Sequence, residues 1–286
     1  MNYKIIDKNH KNYPVLLKII ENPPERLYAM GDTTLLNEPC FAIIGSRSCT
    51  EKGIEIATNI AKELCNYNFC IVSGMAIGID TAAHSGALLA GGKTIAVLGT
   101  GFNHIYPEEN INLPKKIVDA GGLVISEFPP NTGINPTNFP KRNRIVSGLS
   151  IGVLVVEAHH RSGTTITAGL AKRQGRKVFA IPNTIDNKYG IITNELIKKG
   201  AILTRSAEDI AIEYGLLKKG QVQKSVEVLV PEEYKEIYRV LSDEKTNIEE
   251  IAKKLDEPIS AINATLTLME LEGYAKRLPG EFYVRR

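Results

Sequence analysis

The chain has 286 residues, a length sufficient for one large domain and a smaller one. Hydrophobic residues make up 43% of the chain and charged residues 23%, as is ordinary for a globular protein. No apolar run approaches the ~20 residues that span a bilayer, and the N-terminus has no apolar signal-peptide core, so we expect a cytoplasmic protein. The four cysteines form no C-x-x-C pair, which argues against zinc and against a disulfide framework. Because the net charge is only +3, any basic site must be local.

Residues 1–40 are predicted to form a short lead-in segment with a helix near 15–20 and a strand at 27–30. Between residues 41 and 214, short Val- and Ile-rich runs alternate with amphipathic stretches. This alternation predicts a Rossmann-like, doubly wound α/β domain with a mostly parallel sheet, whose ligands bind at the carboxyl ends of the strands. The predicted strands are 41–44, 69–73, 94–98, 123–127, 152–157, 177–181 and 201–204, and the predicted helices are 53–66, 79–90, 110–120, 141–148, 163–174, 193–199 and 207–214.

The C-terminal part predicts a small winged-helix domain. Residues 215–231 have weak periodicity and are interpreted as a linker. Residues 232–286 contain three compact helical patterns, followed by two short strands around Pro279-Gly280. The third helical pattern, 259–271, has no lysine or arginine, which disfavours DNA binding in the major groove and favours a protein-interaction or dimer-supporting role. A domain that merely packs is the alternative, and the basic residues of the wing leave phosphate contact open.

Turns containing glycine and small hydroxyl residues follow several of the predicted strands. Glycine lets the backbone approach a ligand closely, hydroxyls offer neutral donors, and a helix start adds a positive dipole end. Arg47 adds a guanidinium fork suited to phosphate oxygens. Several such turns at one sheet edge predict a phosphate-rich ligand, with packing alone as the alternative. The turns are Gly45-Ser46-Arg47, Ser73-Gly74, Gly99-Thr100-Gly101 and Ser162-Gly163-Thr164.

The densest basic cluster consists of Lys141, Arg142 and Arg144, which flank Asn143 and follow Phe139. Cations at a helix N-terminus oppose the helix dipole, which weakens the interpretation of a solvated, salt-bridged helix face. An aromatic side chain beside positive charges suits a single-stranded nucleic acid, because the ring can stack on a base. Both interpretations stay open from the residues alone.

The sequence predicts neither a cofactor nor a metal. The first turn has a single glycine and no carboxylate follows the second strand, so the dinucleotide fingerprint is absent. Gly86–Thr94 resembles a P-loop but has one residue too many and precedes a strand. Asp80 and His84 share a helix face and are expected to form a structural hydrogen-bonded pair. His159-His160 lacks a clear third metal ligand.

Taken together, these motifs resemble the DNA processing protein A (DprA/Smf) family over about residues 12–210. The resemblance implies a non-enzymatic, Rossmann-like core that binds single-stranded DNA without sequence preference, protects incoming DNA and loads RecA recombinase during natural transformation (competence) or recombination. It also implies a homodimer. The matching stretches are Gly45-Ser46-Arg47, Ser73-Gly74-Met75-Ala76, Gly78–His84, Ala96–Gly101, Tyr106-Pro107, Ser126–Pro129, Phe139–Ile145, Glu157-Ala158 and Ser162-Gly163-Thr164.

The same resemblance implies particular DNA contacts. Arg47 would contact a phosphate beside the adjacent amides, the basic cluster would line the same groove, and Asn143 would order the loop. Ile77 stands where members usually carry arginine, and the stretch 188–194 only partly keeps the usual Ser/Gly-rich pattern. The predicted DNA-binding residues are Gly45, Ser46, Arg47, Gly74, Phe139, Lys141, Arg142, Asn143, Arg144, Ser162, Gly163 and Thr164.

A nucleotide-binding or nucleotide-hydrolysing enzyme of the lysine-decarboxylase-like phosphoribohydrolase type is the alternative. Those proteins share a Rossmann-like core and use a Pro-Gly-Gly-x-Gly-Thr stretch followed by a catalytic glutamate. The stretch 162–169 supplies no acidic residue in that position. This absence argues against hydrolysis, although it leaves a bound nucleotide open.

Overall fold

The computed structural model describes residues 3–159, 163–217, 230–242 and 244–285. The chain divides into two compact units, Met1–Lys219 and Gly220–Arg286. In these described ranges, no helix is both long enough and apolar enough to cross a membrane. Most of the predicted linker, 218–229, lies outside the described residues.

The first unit is built around a sheet that has nine strands within the described ranges. They are β1 Lys4–Asp7, β2 Arg26–Gly31, β3 Cys40–Ile44, β4 Cys70–Ser73, β5 Thr94–Leu98, β6 Leu123–Ser126, β7 Gly152–Val155, β8 Lys177–Ala180 and β9 Ile202–Leu203. Their order is β1-β2-β6-β5-β4-β3-β7-β8-β9. The pairs from β6 to β9 are parallel, whereas β2 pairs with β6 and with β1 in antiparallel fashion.

The strand order places a topological switch point between β3 and β7. From β3 the chain proceeds through β4 and β5 on one side of the sheet, and from β7 it proceeds through β8 and β9 on the other side. In such sheets a crevice opens outside the carboxyl ends of the two strands at the switch. The segments after β3 and β7 therefore form the two sides of one crevice.

Helices cover both faces of this sheet, which confirms the predicted doubly wound α/β class. Helices α5 and α6 pack one face through residues such as Ile145 and Ala168, and α2, α3 and α8 pack the other through residues such as Ile60 and Ile210. The bounds are α1 Val15–Lys18, α2 Glu51–Asn66, α3 Ile79–Leu89, α4 Leu113–Asp119, α5 Asn138–Leu149, α6 Gly163–Arg173, α7 Ile191–Lys198 and α8 Ala207–Glu213.

The predicted elements differ from the observed ones in a few places. β1 was not predicted, because only Ile6 of its four residues is buried and so no apolar run marks it. The predicted helix 110–120 is a 3₁₀ turn at Glu108–Asn110 followed by α4, whose start carries Pro114 in its first turn, where the missing N–H is not needed. Helix α5 begins three residues before the predicted start.

The second unit has a winged-helix arrangement, as predicted. It comprises α9 Lys235–Val240, β10 Thr246–Asn247, α10 Ile248–Leu255, α11 Ile259–Leu271, β11 Ala275–Leu278 and β12 Phe282–Arg285. The three strands form a small sheet in the order β10-β12-β11. Its core contains Ile251, Leu266, Met269 and Tyr283. Asn247 caps α10, because its Oδ1 accepts from the Glu249 amide at 2.9 Å.

Candidate functional site

A cavity of about 780 Å³ lies at the carboxyl edge of the sheet. Its lining comes mainly from the segments that follow β3, β4, β5, β7 and β8, and from the beginnings of α5 and α6. It therefore occupies the crevice at the switch point, where the parallel strands aim their carboxyl ends.

The turn after β3 is held tightly against the segment after β7. The Ser46 amide donates to the Glu157 carbonyl at 2.7 Å, and the Ser48 amide donates to the Ser46 hydroxyl at 3.1 Å. A Cβ on Gly45 would lie 2.5 Å from the Ile79 side chain and 2.9 Å from the Glu157 carbonyl oxygen. Only glycine fits there, because any side chain would push the turn away from its neighbours.

Glu157 changes the expected anion site. Its carboxylate, 3% exposed, accepts from the Thr50 amide at 2.8 Å and the Thr50 hydroxyl at 2.7 Å. Thr50 is the N-cap of α2, and its hydroxyl in turn accepts from Gly53. The Glu157 carboxylate thus occupies the positive end of α2, where the sequence predicted an external anion. Attraction for an anion beside this turn therefore depends on Arg47.

Arg47, Phe139 and Tyr106 form one side of the cavity, which we call the aromatic wall. The Arg47 side chain is exposed, and its guanidinium carbon lies 5.9 Å from the Phe139 ring centroid. The Tyr106 ring is tilted by 47° at 5.5 Å from the same ring. Phe139 packs so closely over Gly99 that a Cβ there would lie 2.6 Å from the ring. Two rings and an exposed cation therefore face the same space.

Arg142 lines the floor of the cavity, but its buried guanidinium is not open to a phosphate, which corrects that part of the prediction. It is 4% exposed, and its guanidinium donates to the carbonyls of Gly74 and Val97, at the ends of β4 and β5. Burial lowers the pKa of Arg142 to about 10, although nearby Asp80 opposes this. Asp80 accepts from the amides of Gly74 and Ala76 at 3.1 and 3.3 Å. The pair fixes the turn after β4.

Arg144 does not share the cavity, which corrects the second part of the predicted basic groove. Its side chain is 18% exposed and pairs with Glu127. It lines a separate, smaller cavity with Lys8 and Arg26. Successive helix residues are rotated by about 100°, so residues two apart on α5 face away from each other. Lys141 is exposed and is not among the residues that line the main cavity.

Most of the other predicted residues do come together. Asn143 connects α5 to the start of α6, because its side-chain amide lies 3.4 Å from the Gly163 carbonyl and its Oδ1 accepts from Arg142 at 3.2 Å. Ser162 lies outside the described residues. The predicted residues that line the cavity are Gly45, Ser46, Arg47, Gly74, Phe139, Arg142, Asn143, Gly163 and Thr164.

The site prediction missed several lining residues, among them Tyr106, His159, Lys188 and Tyr189. Tyr106 stood in a family motif, but nothing in the local sequence shows that it reaches Phe139. The signal available for Lys188 and Tyr189 was a cation next to an aromatic residue in the loop between a predicted strand, 177–181, and a predicted helix, 193–199. Within the part of the chain that is described, no group of three or more His, Cys, Asp or Glu side chains could hold a metal ion.

Asp80 and His84 do not form the expected pair. Asp80 turns to the backbone amides beneath the cavity, whereas the His84 Nδ1 lies 2.7 Å from the Thr94 hydroxyl. Burial lowers the pKa of His84 to about 3, and the nearby Arg142 charge acts in the same direction. The histidine is therefore neutral and buried, which assigns it to the core.

Comparison with known families agrees with this architecture. A family model described as DNA recombination-mediator protein A matches residues 4–215, and one described as the DprA winged helix domain matches residues 228–281. DNA processing protein DprA of Bacillus subtilis (strain 168) is 44% identical over 201 residues, 70% of this chain and 67% of that protein. Protein Smf of Escherichia coli (strain K12) is 36% identical over 293 residues, 99% of this chain and 78% of that protein.

Solved structures give the same result. The X-ray structure of DNA processing protein A from Streptococcus pneumoniae aligns with a TM-score of 0.71 at 41% identity, covering 74% of this chain and 75% of that one. The structure of DNA processing protein A from Helicobacter pylori, described for its single-stranded DNA binding mode, has a TM-score of 0.67 at 32% identity, covering 76% and 96%. The resemblance inferred from the motifs is thereby confirmed, and the chain belongs to the DNA recombination-mediator protein A family, with that family's winged helix domain at its C-terminus.

Proposed function

We propose that this chain binds single-stranded DNA without sequence preference in the cavity at the sheet edge, protects the strand and loads RecA recombinase onto it in natural transformation or recombination. The observation that carries the proposal is the aromatic wall, in which the exposed Arg47 lies beside the rings of Phe139 and Tyr106. A guanidinium binds phosphate oxygens, and aromatic rings stack on bases of any sequence. The Helicobacter pylori relative is described as a single-stranded DNA binder.

A single strand suits this wall better than a duplex. In a duplex the base faces are stacked on one another, so rings that line a cavity cannot reach them. In a single strand the faces are accessible, and stacking contributes about 1–3 kcal/mol per base. Phe139 and Tyr106 therefore supply the preference for the single strand, and Arg47 supplies the attraction for its backbone.

The carboxylates near the cavity support a non-enzymatic role. Asp80 accepts from two backbone amides, and Glu157 accepts from both the amide and the hydroxyl of Thr50. A general base for hydrolysis must be within reach of a substrate proton, whereas these carboxylates are committed to backbone amides and to the Thr50 hydroxyl. The binding proposal is therefore preferred to the phosphoribohydrolase alternative.

The proposal extends to assembly and to the second unit. We propose a cytoplasmic homodimer in which a short lead-in segment, 1–40, precedes the DNA-binding core, 41–214. A linker, 215–231, leads to the winged-helix domain, 232–286. The α11 helix has no lysine or arginine and exposes Leu268 and Leu271, which suits a protein partner better than a phosphate backbone.

The test is a titration of labelled oligothymidylate and of a matching duplex at two salt concentrations, with wild type and Arg47→Ala. We expect wild type to prefer the single strand and to lose affinity as salt rises, because bound phosphates release counterions. Arg47→Ala should bind the single strand about tenfold more weakly, which corresponds to the ~1.4 kcal/mol of one charge-assisted contact.

Arg173→Ala is the matched control. Arg173 is also exposed, but it ends α6, about 9–15 Å along the helix from the α6 residues that line the cavity. It should bind DNA like wild type. Equal and weak binding of single strand and duplex by wild type would overturn the proposal, as would normal binding by Arg47→Ala.

A further inference from the structure

The β8 side of the cavity carries a second cation beside a second aromatic ring. Lys188 and Tyr189, in the loop between β8 and α7, both line the cavity. The Lys188 ammonium lies 5.0 Å from the Tyr189 ring centroid, and the Tyr189 ring lies 6.1 Å from the His159 ring. Lys188 is exposed and Tyr189 is half-buried, so each presents its functional group to the cavity.

Three asparagines hold this loop in place. The Tyr189 amide donates to the Asn187 side chain at 2.9 Å, and Asn187 donates to the Asn183 side chain at 2.8 Å. Asn194 on α7 closes the network, because it accepts from the Asn183 amide at 3.0 Å and donates to the Asn183 carbonyl at 2.9 Å. Such a network fixes the position of Tyr189 before any ligand arrives.

The backbone of Tyr189 is also tied to the sheet. Its carbonyl accepts from the Ala158 amide, just after β7, at 2.9 Å. Gly190 follows, and a Cβ there would lie 2.2 Å from the Asn183 Cβ, so a side chain would break the loop. The ring therefore belongs to a preformed part of the cavity.

The two aromatic sides of the cavity follow strands that are not neighbours in the sheet. Tyr106 follows β5 and Tyr189 follows β8, and these strands are separated by β4, β3 and β7. The four strand spacings between β5 and β8, of about 4.8 Å each, add up to about 19 Å. A DNA single strand that crosses the cavity can therefore place different nucleotides at the two sides.

Resting on the proposed function, we propose that Lys188 and Tyr189 form a second nucleotide subsite, in which Tyr189 stacks a base and Lys188 binds the adjoining phosphate. In the described part of the chain, no ion pair includes Lys188. A phosphate carries a full negative charge and therefore attracts the Lys188 ammonium more strongly than the neutral Tyr189 ring face does. The flexible lysine stem lets the ammonium move from the ring to the phosphate. This movement frees the ring face to stack on a base.

The test measures the affinity of oligothymidylates of increasing length for wild type and four variants: Tyr189→Ala, Tyr189→Phe, Lys188→Ala and Lys198→Ala. The subsite predicts that Tyr189→Ala binds long oligonucleotides about 5- to 20-fold more weakly but binds the shortest ligand that still engages Arg47 like wild type. Tyr189→Phe should retain the affinity, because its ring stacks equally well.

Lys188→Ala should flatten the dependence of log affinity on log salt by about 0.7, the value for one lost phosphate contact on a single strand. Lys198→Ala removes an exposed lysine from the far end of α7 and should change neither quantity. Unchanged binding of long oligonucleotides by Tyr189→Ala and Lys188→Ala would refute the subsite, and so would an equal loss at every length. If wild type itself shows no preference for the single strand, it is the proposed function that fails.

Discussion

Arg47 and Arg142 carry similar sequence cues but have different surroundings. Arg47 is exposed beside Phe139, whereas Arg142 is buried and donates to the carbonyls of Gly74 and Val97. With its pKa lowered only to about 10, Arg142 stays charged at neutral pH. A buried charge persists only where partners compensate for lost water, and those carbonyls and Asp80 do so. Arg142 therefore holds the cavity floor in shape.

This difference predicts that Arg142→Ala lowers stability, whereas Arg47→Ala does not. Arg142→Ala leaves Asp80 and two carbonyls buried without their partner, so the free energy of unfolding should fall by about 3 kcal/mol or more. Arg47→Ala should stay within about 0.5 kcal/mol of wild type, as usual for an exposed side chain. Because the chain has no tryptophan, urea unfolding is best followed by circular dichroism. Wild-type stability in Arg142→Ala would contradict the structural role.

At this scale the sequence predicted which residues gather at the cavity better than how each one faces it. Turns that follow parallel strands converge at one edge of the sheet, and for that reason Gly45, Gly74 and Gly163 all line the cavity. Arg144 was misplaced because its partner, Glu127, follows β6 and is distant in sequence. Local patterns locate a helix, but its neighbours decide which face is buried.

At the scale of single elements, α2 shows how a helix start can be occupied from within. The sequence correctly predicted a helix after the Gly45 turn, but the helix begins at Glu51, and its N-cap is joined to Glu157 more than one hundred residues away. A carboxylate at this place satisfies Thr50 and interacts favourably with the helix dipole. No local pattern could reveal a partner so distant along the chain.

Glu157→Gln tests this arrangement with little change in shape. The amide has one acceptor oxygen instead of two and no charge, so Thr50 loses a partner and the free energy of unfolding should fall by about 1–3 kcal/mol. Glu51→Gln is the matched control: it removes one charge from the first turn of α2 at an exposed position and should lower stability by under about 1 kcal/mol. Equal stabilities of the two variants in urea unfolding would show that the Glu157 carboxylate does not stabilise the start of α2.

For the whole molecule, the fold class was predictable because buried parallel strands appear as short continuous apolar runs between amphipathic helices. Strands β3 to β7 are buried at every position, and β8 is buried at its last two residues. The antiparallel pairing of β2 with β6 and of β1 with β2 was not predictable. Hydrophobic periodicity shows which face of a strand is buried, but it does not show which strands are its neighbours. Likewise, β10 has two residues and exists only through its pairing with β12. Strand pairing depends on tertiary structure, so short edge strands are the elements that sequence patterns fail to predict.

Acid should destabilise the first unit through His84. Burial lowers the pKa of His84 to about 3, against about 6.5 in the unfolded chain, so between these values only the unfolded state takes up the proton. Stability from the neutral histidine is therefore complete above pH 6.5 and is lost as pH falls towards 3. From pH 7 to pH 5 the loss should reach about 2 kcal/mol.

The measurement is the free energy of unfolding against pH for wild type and His84→Gln. Glutamine can still bond to the Thr94 hydroxyl but cannot take up a proton, so its curve should be flatter from pH 7 to 5 whatever its absolute stability. Burial raises the pKa of Asp80, which acts in the opposite direction, but it acts in both proteins and cancels from the difference. Parallel curves would mean that His84 can be protonated in the folded protein, which its full burial on α3, against Thr94 of β5, argues against.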